Sequence, residues 1–339
     1  MKILYIGHYE EGSTSKMRGD YLREILIPEE FTIIDINIPL QSTHRIFRSF
    51  GWRTKKGPLI KNINNFILDK LHGNWNYDLI WVDKGVFVLP EIILKLKEHS
   101  RKLVHFTPDP AFTYHRSGLF FKALKYYDYC VTTKSFEVDM YKKNGVNELL
   151  TSTQGFRPDL HKPYHRFEEK KGVVFIGHHE PNREKALVKL LENKIPLTLA
   201  GIGWSSFYEK HKNATGFDYL GSGIFGEKYA QTISAGLIGI GFLSKIIPEL
   251  HTTRTFEIPA CGTALFTEKN EETAAIFNDR EVYFYEGNDD LVNKIISAMA
   301  DRAGIEKITE NGYKCVTLGG YDYKHIIQKI IDRIYPILN

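Results

Sequence analysis

The chain predicts an α/β protein built from two doubly wound parallel sheets, on three observations. Short apolar runs with strand character alternate with amphipathic segments along the sequence. The runs fall into two groups of similar size, and alternation of this kind favours parallel sheets wrapped by helices. At 339 residues the chain is also long for a single core, domains of ~100 to 200 residues being usual.

In the first group KILYIG is the opening strand, followed by the polar turn and helix of GHYEEGSTSKMRGDYLREIL. Gly7 and Gly12 permit a loop close to a ligand. Ser13, Thr14 and Ser15 offer hydroxyls ahead of a helix that buries Met17, Tyr21, Leu22, Ile25 and Leu26. These hydroxyls read either as cleft residues or as a helix cap. DLIWVDKG, LVHFTPD and YCVTTK are the further strands, with the amphipathic stretch Leu89 to Leu96 between the first two. Beyond LVHFTPD come Asp109, behind Pro108 and suited to a cleft, and His115; His105 lies inside the strand and reads as a core histidine.

The second group opens with VVFIG, turning at Gly177 into a helix with Arg183, Ala186, Leu187, Leu190 and Leu191 at helical spacing. LTLAGIG, AGLIGIGF, TALFTE and VYFYEG follow as strands, and Asp290 to Met299 as an amphipathic helix. HKPYHRFEEKKG, polar and Pro-bearing, is the expected join, giving domains 1–166 and 167–322 and a final helix within 323–339. In such sheets ligands bind beyond the carboxyl ends of the strands.

Composition narrows the function classes. A hydrophobic fraction of 42% and a charged fraction of 25% describe an ordinary globular protein. Cys130, Cys261 and Cys315 are widely spaced, without a C-x-x-C pair, and read as reduced thiols of a cytoplasmic protein. MKILYIGHY lacks a signal-peptide cleavage region, and no apolar run approaches the ~18 residues of a membrane span. Residues 1–166 carry 25 Lys+Arg against 18 Asp+Glu, residues 167–339 20 against 23. Much of the excess sits in HRIFRSFGWRTKKGPLIK, residues 44–61, where Arg45, Arg48, Arg53, Lys55 and Lys56 alternate with Phe47, Phe50 and Trp52. That pattern reads as a solvated loop, or as a contact with an anionic membrane or a phosphorylated acceptor. A net charge of +4 is far from the basic footprint of nucleic-acid binders.

The most informative segment is PELHTTRTFEIPACGT. Thr252 or Thr253 is placed to cap a helix whose early residues include Arg254, Phe256 and Glu257, and a helix start favours phosphate. Gly262 reads as the stop, and Pro259 as a kink. Glu249 in the preceding loop and Glu257 one turn inside the helix supply two carboxylates, which as acceptors suit paired hydroxyls. Two solvated glutamates on a surface helix is the other reading of the same spacing.

With these residues in place, the chain resembles the retaining glycosyltransferases of GT-B fold, the "group 1" class with an E-x7-E motif, in the subtype carrying R-x-F-E as at Arg254 to Glu257. The resemblance implies two Rossmann-like domains facing a cleft and a last helix crossing back to the N-domain. It implies that Glu249 touches the transferred sugar and Glu257 the ribose, and that the amides of Leu250, His251, Thr252 and Thr253 hold the diphosphate. Gly177 matches the glycine after the first donor-domain strand and Arg183 the family's lysine; His178 stands where the family has arginine and departs from it. Gly203 and Ile224 fall in loops that the resemblance places at the donor, and Asp109 in a loop near the reacting sugar. Gly221, Gly223 and Gly226 spell G-x-G-x-x-G, yet the preceding FDYL is short and no acid follows in AGLIGIGFL, so they shape a loop rather than a dinucleotide fingerprint.

The expected activity is metal-independent transfer of a sugar from a nucleotide diphosphate sugar, with retention, to a glycan, lipid-linked or protein acceptor. The setting is surface polysaccharide or glycoconjugate assembly, in the cytoplasm or at the inner face of the membrane. No cofactor is expected. A GT-B epimerase and a non-catalytic nucleotide-sugar scaffold are the rival readings.

Overall fold

The structure, a computed structural model, describes residues 1–71, 76–113 and 116–336. It divides into two compact units, Met1–Thr153 with Lys324–Asn339, and Gln154–Tyr323. In the first unit β1 (Lys2–Gly7), β2 (Glu30–Asp35), β3 (Tyr77–Asp83), β4 (Ser100–Thr107), β5 (Tyr129–Thr132) and β6 (Glu148–Thr151) lie in the order β2-β1-β3-β4-β5-β6. In the second, β7 (Lys171–Ile176), β8 (Leu197–Ala200), β9 (Phe217–Tyr219), β10 (Gly236–Gly241), β11 (Ala264–Glu268) and β12 (Tyr283–Tyr285) lie in the order β12-β11-β10-β7-β8-β9. All neighbouring strands are parallel.

Parallel strands covered on both faces need apolar residues on both, and β7 shows how this works. Val173 and Phe175 enter one core with Leu187 and Leu190, while Val174 and Ile176 enter the other with Phe256 and Ile258. Strands β2, β6 and β9, which the apolar runs do not reveal, are all edge strands and only partly buried. An edge strand covers less core, so its sequence is under weaker apolar demand.

Strand order positions the sites. In each sheet the chain winds outward in both directions from one pair of strands, β1 and β3 in the first unit and β7 and β10 in the second. The connections leaving such a pair diverge and open a crevice at its carboxyl end.

The units part at 153/154 and not at 166/167, because the segment expected as a linker is built into the second unit. The Gln154 amide donates to His251 Nε2 at 3.0 Å, and those of Tyr164 and His165 donate to Ser234 Oγ at 2.8 and 3.1 Å. Lys170 is buried and reaches the Ser234 carbonyl. The segment's polarity thus serves internal hydrogen bonds. The final helix Tyr323–Ile334 packs in the first unit through Ile326, Ile327, Ile330 and Ile331, with Lys324 paired to Glu24 at 2.5 Å.

Candidate functional site

In the second unit the chain leaves β7 through Gly177, His178, His179 and Glu180 and enters the helix Pro181–Glu192. Pro181 stands in the first turn, where a missing N–H costs nothing. The Gly177 carbonyl accepts from Trp204 Nε1 at 2.8 Å. A Cβ on Gly201, where φ is +139°, would lie 1.9 Å from the Gly177 carbonyl oxygen, so these loops pass at a distance that only glycine allows. Gly203 supports the same packing, against His179.

Arg183 is 3% exposed. Its Nη2 meets Glu180 Oε1 at 2.7 Å and its Nη1 donates to the His178 carbonyl at 2.9 Å. Glu180 also accepts the Lys245 amide at 2.9 Å, tying the loop after β10 to the same guanidinium. Among the described residues Arg183 Nε is buried with no hydrogen-bond partner. Burial pulls the Arg183 pKa below its usual value; Glu180 opposes this, Arg254 adds to it, and Glu249 opposes it again. Two arginines and two glutamates from the β7 and β10 loops therefore share one electrostatic neighbourhood.

The loop after β10 carries Glu249, half-buried, and runs into the short helix Arg254–Ala260. The cap differs from the expectation: Thr253 is the N-cap without a side-chain bond, and the Thr252 amide donates to Thr255 Oγ1 at 3.0 Å. Among the described residues nothing accepts a hydrogen bond from the amides of Leu250, His251 or Thr253. Thr252 Oγ1 and Arg254 Nε are likewise buried without a partner. Buried donors are almost always satisfied in folded proteins, by protein groups or by water. Pro259 lies within the helix, which ends one residue later, and Gly262 follows at φ +66°.

Other predicted residues have internal tasks. His251 is 3% exposed; its Nε2 accepts from Gln154, so its proton sits on Nδ1, which donates to Glu272 at 2.5 Å. The imidazole is thus a neutral bridge, leaving only the backbone of His251 for a ligand. Glu257 is buried, with Oε2 accepting from Tyr229 Oη at 2.5 Å and Oε1 3.7 Å from His161 Nε2. Burial and then Glu257 push the Tyr229 pKa well up, which keeps this hydroxyl a donor. Ile224 lies in the loop before the helix Gly226–Ala235 with its side chain 6% exposed in the apolar core. His178 is exposed and is used through its carbonyl. Glu180, Tyr229 and His161 were missed by sequence reasoning; for Glu180 the available signal was its place three residues before Arg183, at a helix start.

In the first unit the β1 and β3 ends carry a different chemistry. Arg18, fully buried, makes a bidentate pair with Asp83 at 2.8 and 2.9 Å. Lys84, at φ +67°, places its Nζ 2.6 Å from Asp109 Oδ2. The Asp109 loop is pinned by buried Glu137, which accepts the amides of Ala111, Phe112 and Thr113 at 2.7, 3.0 and 3.3 Å. Ser13 caps its helix by accepting from the Lys16 amide at 3.1 Å; Ser15 is buried against Tyr5. Gly12 and Thr14 are exposed. His105 is a core residue with Nε2 3.1 Å from the Lys84 carbonyl, and burial lowers its pKa to about 4. His115 lies outside the described residues.

Residues 183–332 match the family model described as "Glycosyl transferase-like". The comparison with curated proteins gives no match. Among solved structures the chain is similar to HepE of Anabaena in complex with UDP, with TM-score 0.67, 14% identity, and 99% of this chain and 100% of that one covered. It is similar to sucrose-phosphate synthase from Thermosynechococcus elongatus (0.71, 12%, 98% of each chain). A glycosyltransferase from Rickettsia africae is a third such structure (0.65, 12%, 98% of this chain and 97% of that one). With two all-parallel six-stranded sheets, these likenesses establish the GT-B fold.

Proposed function

We propose that this protein is a glycosyltransferase that moves a sugar from a nucleoside diphosphate sugar to an acceptor hydroxyl, with retention of configuration and without a metal. One observation carries the reading. Buried Arg183, half-buried Arg254 with its Nε inside, the buried Thr252 hydroxyl and three amides without acceptors among the described residues lie where the loops leave β7 and β10. Preorganised donors with little water around them are suited to charge that develops on a leaving diphosphate. The match of residues 183–332 to a glycosyl transferase-like model covers this region from Arg183 onward. HepE, of the same fold, is described in complexes with UDP, with UDP and glucose, and with UDP-glucose, which makes uridine the first base to try.

In this mechanism Arg183 and Arg254 carry the diphosphate charge, the amides of Leu250, His251 and Thr253 bind its oxygens, Glu249 orients the sugar and Glu257 receives ribose hydroxyls. The acceptor oxygen forms its bond to the anomeric carbon as the bond to the diphosphate breaks, and the acceptor proton passes to the departing phosphate. No protein base is then needed. In the first unit Asp109, ion-paired to Lys84, is proposed to bind the acceptor. Three unpaired cysteines suit a reducing, cytoplasmic setting in polysaccharide or glycoconjugate assembly.

The test is release of nucleoside diphosphate from UDP-glucose, GDP-mannose and related donors in the presence of chelator and a panel of sugar acceptors. Activity with one donor, lost in Glu249→Ala while nucleotide affinity persists, supports the reading. Nucleotide binding with no turnover of any donor would identify a scaffold instead.

A further inference from the structure

Between Asp35 and Asp69 the sequence contains no acidic residue, yet it holds Arg45, Arg48, Arg53, Lys55, Lys56 and Lys61. The middle of this stretch is the helix Arg45–Thr54, followed after Gly57 by the helix Pro58–Lys70. One side of the first helix is fixed to the unit: Gly51 is buried so close to Leu59 that a Cβ would lie 2.5 Å from the Leu59 Cβ, and Trp52 lies 5.0 Å from the Phe87 ring. Its other side leaves Ile46 69%, Phe47 49% and Phe50 50% exposed. Arg45, Arg53 and Lys56 are exposed beside them, and Arg45, Arg48 and Arg53 line an open groove of about 480 Å³ with Trp52.

Large apolar side chains grouped on a surface mark an interaction site, and a solvated loop would not hold them on one helical face. Aromatic and aliphatic residues rimmed by cations, with no acid in the segment, are complementary to one partner chemistry: an apolar layer under an anionic surface. We propose that the helix Arg45–Thr54 docks this protein on an anionic lipid bilayer, lying in the interface with Ile46, Phe47 and Phe50 inserted and the arginines at lipid phosphates. Helices of this composition bury their apolar face to a depth of roughly 5–10 Å. Among the described residues no helix is long and apolar enough to cross a membrane, so the contact is peripheral. The inference is independent of the glycosyl-transfer reading.

The test is sedimentation of the full chain with vesicles of phosphatidylcholine alone and of phosphatidylcholine with phosphatidylglycerol. Each cation near such a surface contributes roughly five-fold to partitioning. The expected result is binding to the phosphatidylglycerol vesicles only, weakened by salt and by on the order of a hundred-fold in Arg45→Glu/Arg53→Glu/Lys56→Glu. Phe47→Ser/Phe50→Ser weakens it at all salt concentrations. The control Lys210→Glu/Lys307→Glu/Lys314→Glu makes the same charge change on exposed residues of the second unit and leaves binding within about two-fold of wild type. All three variants alter exposed side chains, and matched melting temperatures confirm that they fold. Absence of binding, or equal loss in the control, overturns the proposal. So does a wild-type dimer that becomes monomeric in Phe47→Ser/Phe50→Ser and ignores vesicles, which would assign the face to a second copy.

Discussion

The two sheets present their central crevices in equivalent topological places, yet the charged groups there are balanced differently. At the ends of β1 and β3 each cation has its anion: Arg18 grips Asp83 through two hydrogen bonds, and Lys84 meets Asp109. At the ends of β7 and β10, Arg183 is paired with Glu180 but has Arg254 beside it lowering its basicity, and among the described residues Arg183 and Arg254 each keep a buried Nε without a hydrogen-bond partner. Both crevices come from the same strand order; the charged side chains that line them differ. Ionisable groups in the first crevice should therefore govern stability, and those in the second should govern binding.

The largest effect is expected from Arg18→Met. It leaves Asp83 buried without its guanidinium and should cost about 3–5 kcal/mol in urea unfolding, with nucleotide affinity unchanged in the folded fraction. His105 gives a smaller, pH-dependent version. Its pKa is about 4 when folded against about 6.5 unfolded, so the unfolded chain takes up the proton first and stability falls as pH drops through that window. Between pH 7 and pH 5 the His105 share is on the order of 2 kcal/mol, and His105→Gln should flatten the acid side of the stability profile by that amount.

Ser13→Ala removes a helix cap and should cost about 1 kcal/mol in the same unfolding assay. A concurrent fall in nucleotide affinity would show instead that this loop touches the donor. The smallest stability change belongs to Arg254→Met, which removes a half-buried charge that acts on Arg183. Melting temperature should stay within the equivalent of about 0.5 kcal/mol of wild type. A large destabilisation would mean that the second crevice is as self-sufficient as the first and would erase the contrast.

The β7 and β10 strands were legible because central parallel strands must be apolar on both faces, and their loops because glycine, arginine and glutamate fell at motif spacing. The edge strands β2, β6 and β9 were not legible, since little burial leaves little pattern. Arg183 and Glu249 stood out as candidates by motif spacing, but Glu180, which holds the Arg183 guanidinium, looked like an ordinary helix-start carboxylate. Likewise, the internal roles of His251 and Glu257 depend on Gln154, Glu272, Tyr229 and His161, partners distant in sequence that only the fold assembles. The polar stretch 161–172 read as a linker because composition cannot distinguish hydrogen bonds to water from hydrogen bonds to Ser234.

The central claim, that the crevice at β7 and β10 is built to receive a diphosphate, is tested most directly by calorimetric titration of wild type and Arg254→Met with nucleoside diphosphates and with the parent nucleosides. A charge-assisted hydrogen bond contributes about 1.5–3 kcal/mol. Wild type should therefore bind one diphosphate on the order of 10- to 100-fold more tightly than the variant, while nucleoside affinity is the same for both. Equal diphosphate affinity in the two proteins, or no binding of any diphosphate to wild type, would contradict the account.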